Sequence, residues 1–174
     1  FGSIFIKSRK FTIDDQDAFA RLSGDYNPLH MDSLVARRYI FGEPVVHGIH
    51  SLLWAIDVWL SKHRNPVRIV SLKASFPRPV LLGQSVNLLI CEDHPGNPEI
   101  NLYSGGSLLI NINLTTQSRD TPPAERGSGS VRQAIPEKRS PCLRTPQDMP
   151  DLSGTLEYCL DPSLSARLFP NVTD

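Results

Sequence analysis

The spacing of hydrophobic residues changes period along this chain, and the changes mark its elements. From Phe1 to Thr12, Ile4, Ile6 and Phe11 stand among polar and basic residues, the pattern of a strand. Thr12 followed by Asp14 and Asp15 predicts a helix start, with a capping side chain and then acids in the first turn. Ala18, Phe19 and Leu22 give that helix an apolar face, and Gly24 ends it. Residues 31–40 read as a second short helix, broken by Phe41-Gly42-Glu43-Pro44. The segment from Ile49 to His63 is apolar around nearly its whole circumference, which predicts a helix buried on nearly all sides. In a domain this small, such a helix calls for a sheet wrapped around it. Arg64-Asn65-Pro66 closes it.

Beyond it the period becomes that of strands. Val67 to Phe76 alternates, and Pro77-Arg78-Pro79 marks a bulge or an edge. Val80 to Ile90 reads as a strand with Gly83 inside it, and residues 94–98 (His-Pro-Gly-Asn-Pro) as a turn. Ile100 to Tyr103 and Leu108 to Thr116 are joined through Ser104-Gly105-Gly106-Ser107, a hairpin signal. One early strand, then helices, then about four strands predict an α+β layout with mostly antiparallel pairing. Residues 118–150 are rich in Pro, Ser, Arg and Gly and read as a linker. Residues 151–174 regain apolar positions and are expected to be a docked tail or the start of a further domain. The organisation is therefore a domain over 1–117, a linker over 118–150 and a C-terminal segment over 151–174.

Composition narrows the function classes. The 18 basic and 18 acidic residues cancel, which argues against a nucleic-acid binder. No run of apolar residues is long enough for a membrane span, and no signal-peptide pattern opens the chain. Starting at Phe1 rather than a methionine, the sequence has the look of a piece of a longer protein. Cys91, Cys142 and Cys159 have neither zinc-ligand spacing nor a disulfide framework, so a reducing, cytoplasmic setting is expected and no metal site.

The chemistry concentrates in Leu22-Ser23-Gly24-Asp25-Tyr26-Asn27-Pro28-Leu29-His30. A carboxylate, a carboxamide and an imidazole fall within six residues here. Pro28 pushes Asn27 towards extended geometry, so the segment predicts a helix end, a short rigid loop and a new helix near Pro28. Such a loop can aim all three groups into one pocket, or simply use Asp25 or Asn27 as a cap.

Two stretches resemble the MaoC-like family, which includes the (R)-specific enoyl-CoA hydratases. One runs from Phe19 to Asp32 through Asp25-Tyr26-Asn27-Pro28-Leu29-His30, with Ala36 following; the other is Phe41-Gly42-Glu43-Pro44-Val45-Val46-His47-Gly48. Phe76-Pro77-Arg78-Pro79-Val80 with Gly83 is similar to a third, looser pattern. The resemblance implies the hotdog fold, an antiparallel β-sheet wrapped around a long central α-helix. It implies reversible addition of water to a trans-2-enoyl thioester, giving the (3R)-hydroxyacyl thioester. Asp25 and His30 would be the catalytic pair, with Asn27 orienting them. Gly48 would offer its N–H to the thioester oxygen, glycine letting the carbonyl approach, and His47 would either touch substrate or hold the entry to the central helix. No cofactor is implied beyond the coenzyme A or phosphopantetheine that carries the substrate. The expected partners are an acyl-CoA or acyl carrier protein thioester and a second hotdog, in a homodimer or in a pseudo-dimer within one chain. The competing reading is a non-catalytic module that binds acyl thioesters or assembles with a partner.

Blander roles are expected elsewhere. Asp32 reads as a helix acid, Trp54 and Trp59 as core or tunnel lining, and His50 and His63 as surface or pocket-lining residues. Arg37, Arg38, Lys62, Arg64 and Arg78 read singly as solvated surface charges.

Overall fold

The computed structural model describes residues 4–62, 67–91, 96–118 and 161–172. Residues 119–150 of the linker, His63, the Arg64-Asn65-Pro66 loop, residues 94 and 95 of the 94–98 turn, Cys142 and Cys159 lie outside the described residues.

Five strands, β1 (Ile4–Lys10), β2 (Val67–Ser75), β3 (Ser85–Cys91), β4 (Glu99–Ser104) and β5 (Ser107–Ser118), form one sheet in the order β1-β3-β4-β5-β2. Every pairing is antiparallel. Register explains which face is the core. Leu88 of β3 faces Leu102 of β4, which faces Ile110 of β5; Ile90, Ile100 and Ile112 form the next row. All six are almost fully buried. The intervening positions turn outward, where the Asn111 amide donates to Glu99 (2.6 Å) and to Asn101 (2.8 Å), and Asn113 donates to Asn111 (2.8 Å). A one-residue slip would send these amides into the core, so the pattern pins the register.

The sheet packs against α4 (Gly48–Leu60), the helix apolar on nearly every side. Its Trp54, Ala55, Ile56, Val58 and Trp59 are buried, so both tryptophans are core residues. This arrangement is the hotdog. Helix α1 (Ile13–Ser23) begins at a full capping box: Asp15 N–H donates to Thr12 Oγ1 (3.2 Å), and Thr12 N–H to the Asp15 carboxylate (2.8 Å). It ends at Gly24, whose φ of 74° is the left-handed cap that glycine adopts without steric cost.

Two boundaries differ from the sequence pattern. Residues 31–40 are not one helix: α2 (Pro28–Met31) and α3 (Ser33–Ala36) are single turns separated at Asp32. The Asp32 carboxylate accepts from the N–H groups of Leu34 and Val35, so this acid interrupts one helix in order to cap the next. Nor does a strand run from Val80. Gly83 has φ 76° and its N–H donates to the Phe11 carbonyl (2.9 Å), which turns the chain before β3 begins.

A final helix, α5 (Pro162–Leu168), lies against α1. Phe169 just after it is buried, with Phe19 and His50 at ring-centroid distances of 6.3 and 5.7 Å. Asn171 donates twice to the Asp57 carboxylate of α4, from its backbone N–H (2.6 Å) and its side chain (3.2 Å). No described helix is long and apolar enough to cross a membrane.

Candidate active site

The loop after α1 is held by its own polar side chains. Ser23 Oγ donates to the Phe19 carbonyl (2.8 Å) and accepts from Asp25 N–H (3.2 Å). The Asp25 carboxylate accepts from Asn27 N–H through Oδ1 (3.1 Å), and Asn27 Oδ1 accepts from Leu29 N–H (3.0 Å). Asn27 thus works on backbone, capping α2, where Pro28 supplies a first turn with its angle already set. One turn later His30 emerges facing back towards Asp25.

His30 Nδ1 lies 2.7 Å from the Val45 carbonyl oxygen, a pure acceptor, so Nδ1 carries the proton. In the neutral ring the lone pair is then on Nε2, which lies 3.9 Å from Asp25 Oδ2. His47 Nε2 lies 3.9 Å from the same oxygen, and its ring stacks on that of His30 at 4.1 Å. Asp25 is half exposed, His30 largely covered and His47 buried. The structure therefore brings Asp25, His30 and His47 together, with Asn27 behind them in the loop.

Gln16 organises this cluster, and the sequence pattern did not single it out. Its side chain is buried on the inward face of α1. The amide nitrogen donates to the carbonyls of His30 (3.0 Å) and Val45 (2.9 Å). Its oxygen accepts from His47 N–H (3.4 Å) and Nδ1 (3.1 Å). One carboxamide so ties α1, α2 and the entry to α4. A signal was present: Gln16 shares the Phe19–Ala20 face at helical spacing, a polar residue inside an apolar stripe.

His47 has acceptors at both ring nitrogens, Gln16 Oε1 at Nδ1 and the Asp25 carbonyl at Nε2 (2.9 Å). A neutral imidazole has one proton for these two contacts. Burial is the strongest influence on its pKa and, with His30, holds it below the ordinary imidazole value; the Asp25 carbonyl and carboxylate pull the other way. A donor atom from each of Asp25, His30 and His47 lies within 4.8 Å of the others, close enough for a cation. His47 Nε2, however, already sits against a backbone carbonyl, and a metal would have to break that contact. The donor set fits a proton-handling site better than a metal centre.

Gly48 opens α4, where no side chain caps the helix. The N–H groups of a first helical turn have no partner within the helix, and they present a positive dipole end. His50, two residues in, departs from the expectation of a surface or pocket-lining residue. It is fully buried, and neither ring nitrogen has a hydrogen-bond partner. Phe19 stacks on it at 4.7 Å, while Phe11 and Phe169 meet it edge-on. Those neighbours come from α1, from the end of β1 and from residues beyond α5, so nothing local in the sequence announced the cage.

Residues 4–94 match the family model for the MaoC-like domain. The chain belongs to the MaoC-like family. Among curated relatives, it is 35% identical over 82 residues to the (R)-specific enoyl-CoA hydratase of Aeromonas caviae, covering 45% of this chain and 60% of that one. Identity to 3-hydroxyacyl-thioester dehydratase Y of Mycobacterium tuberculosis is 32% over 99 residues, 55% of this chain and 34% of that one. With the peroxisomal multifunctional enzyme type 2 of Drosophila melanogaster it is 37% over 79 residues, 44% of this chain and 13% of that enzyme. The chain thus spans only part of the length of these relatives. Among solved structures, the (R)-hydratase of A. caviae superimposes with a TM-score of 0.56 at 27% identity, over 67% of this chain and 94% of that one.

Proposed function

We propose that this MaoC-like domain adds water reversibly to a trans-2-enoyl thioester, giving the (3R)-hydroxyacyl thioester. The observation that carries the proposal is the 3.9 Å gap between Asp25 Oδ2 and His30 Nε2, the nitrogen that bears the lone pair when the ring is neutral. One water can bridge two acceptors at that separation by donating a hydrogen to each. Its lone pairs then face outward, and a half-exposed Asp25 leaves the approach open to substrate. As the oxygen bonds to C3, the pair takes the proton that the water gives up, and it returns a proton to C2 as the enolate collapses. General acid–base assistance of this kind contributes about 10²–10⁴ in rate.

Charge builds on the thioester oxygen during the attack, and in this reading the Gly48 N–H at the start of α4, where no side chain caps the helix, is its donor. Asn27 and Gln16 hold the geometry, and His47 braces Asp25 by bonding its carbonyl. The steps are attack of water on C3 and proton transfers, with no change in net oxidation state, so the mechanism calls for no redox cofactor and invokes no metal. The substrate rides on coenzyme A or on the phosphopantetheine of an acyl carrier protein. A second hotdog, as a homodimer or as a second half of a longer chain, is the proposed assembly. A cytoplasmic setting is proposed from cysteine usage alone.

The test is the ultraviolet absorbance of crotonyl-CoA, which hydration removes along with the conjugation. Loss of signal with the wild-type chain, abolished in a folded Asp25→Asn variant, is the expected result. Undiminished turnover by that variant overturns the assignment of Asp25. Thioester binding without turnover by the wild type favours a binding module instead.

A further inference from the structure

Gly48 is not a glycine for backbone reasons: it is helical, with no positive φ. Space is the constraint. A Cβ on Gly48 would lie 3.2 Å from Cε1 and 3.5 Å from Cδ1 of Phe76. An aromatic ring therefore lies over the side of Gly48 where a side chain would stand. That ring is nonetheless 46% exposed, an unusual state for a phenylalanine in close contact with a central helix.

Its placement is fixed by backbone. Phe76 directly follows β2, with prolines at 77 and 79 restricting the chain after it. The same segment is laced to the residues that lead into α4. Val46 N–H donates to the Val80 carbonyl (2.8 Å), Leu82 N–H donates to the Pro44 carbonyl (3.0 Å), and Val45 bridges Leu81. The segment that follows the ring is thus bonded to the residues that lead into α4, and a solvent-facing ring surface lies beside the start of that helix.

We infer that Phe76 is a substrate-positioning residue whose ring forms one wall of the subsite for the thioester carbonyl at Gly48. The inference rests on the acyl-thioester reading above and adds a second group to it. The exposed part of the ring offers the acyl thioester an apolar surface. On this view Gly48 lacks a side chain so that the ring can reach the subsite; a methyl group would push the ring away.

The experiment measures binding of butyryl-CoA, a saturated thioester that cannot be hydrated, together with crotonyl-CoA turnover. Wild type, Phe76→Ala, Phe76→Leu, Gly48→Ala and the Gly48→Ala/Phe76→Ala double variant are compared. Phe76→Ala is expected to weaken binding and to lower kcat/KM by about tenfold, the scale of one aromatic contact. Phe76→Leu, which rebuilds an apolar wall, should restore most of the binding and of kcat/KM. The double variant should be no worse than Phe76→Ala alone, since the methyl then has nothing to displace. Unchanged binding and turnover in Phe76→Ala overturns the inference, and so do fully additive losses in the double variant. Binding without turnover by the wild type would defeat hydration while leaving the role of Phe76 readable from binding. Neither binding nor turnover by the wild type defeats both.

Discussion

His50 turns burial into a measurable dependence on acid. Its imidazole sits among Phe11, Phe19 and Phe169 with neither nitrogen bonded, and its pKa is pushed down to about 3. Burial is the main cause; the Arg9 guanidinium and His47 add to it, and Asp15 opposes it. The sign follows from proton counting. Between the ordinary value of 6.5 and about 3, the unfolded chain binds a proton at this residue and the folded chain does not. Folding is then opposed by about 1.4 kcal/mol for each unit of pH below 6.5. From pH 7.5 to 4.5 the loss is about 2–3 kcal/mol, a large fraction of the stability of a small domain.

Replacing His50 by Leu removes the titrating group at similar volume. At neutral pH two effects compete. Relief of an unpaired buried polar group is worth about 1–3 kcal/mol, against loss of aromatic stacking worth about 0.5–1.5 kcal/mol. The neutral-pH difference is therefore small, and the acid slope is the quantity to read. Urea denaturation followed by fluorescence of the buried Trp54 and Trp59 at pH 7.5, 6.0 and 4.5 supplies it. Asp15, whose pKa lies below the usual carboxylate value, stays ionised in that range and cancels between the two proteins. His50→Leu is expected to gain about 2–3 kcal/mol on wild type between the extremes. Parallel pH profiles would refute the reasoning, because they would mean that His50 is solvated in the folded protein.

Three further outcomes follow from the same contacts. Gln16→Leu strips the carbonyls of His30 and Val45, and the His47 ring, of their shared partner; it should cost about 2–3 kcal/mol in denaturant unfolding and lower crotonyl-CoA turnover. Phe169→Ala should cost about 3–5 kcal/mol by the same assay, as truncation of a buried aromatic does, and should flatten the acid slope by admitting water to His50. Asn27→Ala removes the cap of α2 and should cost about 1 kcal/mol in stability, with a larger proportional loss of turnover because His30 rides on that turn.

The core and the loop chemistry were legible because both are local. Alternation in β3, β4 and β5 places Leu88, Leu102 and Ile110 in one row whatever the rest of the chain does. Thr12, Gly24 and Pro28 likewise mark their turns with their own backbone chemistry. What escaped were contacts between distant segments. Gln16 reaches 31 residues along the chain to His47, and Asn171 reaches 114 residues back to Asp57. The split at Asp32 also escaped, since an acid at a helical position reads equally well as part of a helix or as the cap of the next one.

These distant contacts bear on the candidate site. From the Asp25 loop inward, His30 stacks on His47, His47 meets Phe19 at 5.1 Å, Phe19 stacks on His50, and both Phe19 and His50 meet Phe169. The row joins the Asp25, His30 and His47 cluster to the segment that follows α5. A packed interior transmits strain because its side chains have few alternative positions. Damage at Phe169 should therefore reach His47 through Phe19, whereas damage at Asp57 would loosen only the hydrogen-bonded end of the same segment. Comparing kcat in Phe169→Ala and Asp57→Asn, at urea concentrations where both are fully folded, separates the two. A drop in kcat confined to Phe169→Ala would mean that alignment passes along the ring row. Equal drops would mean that docking of residues 161–172 as a whole is what the site requires.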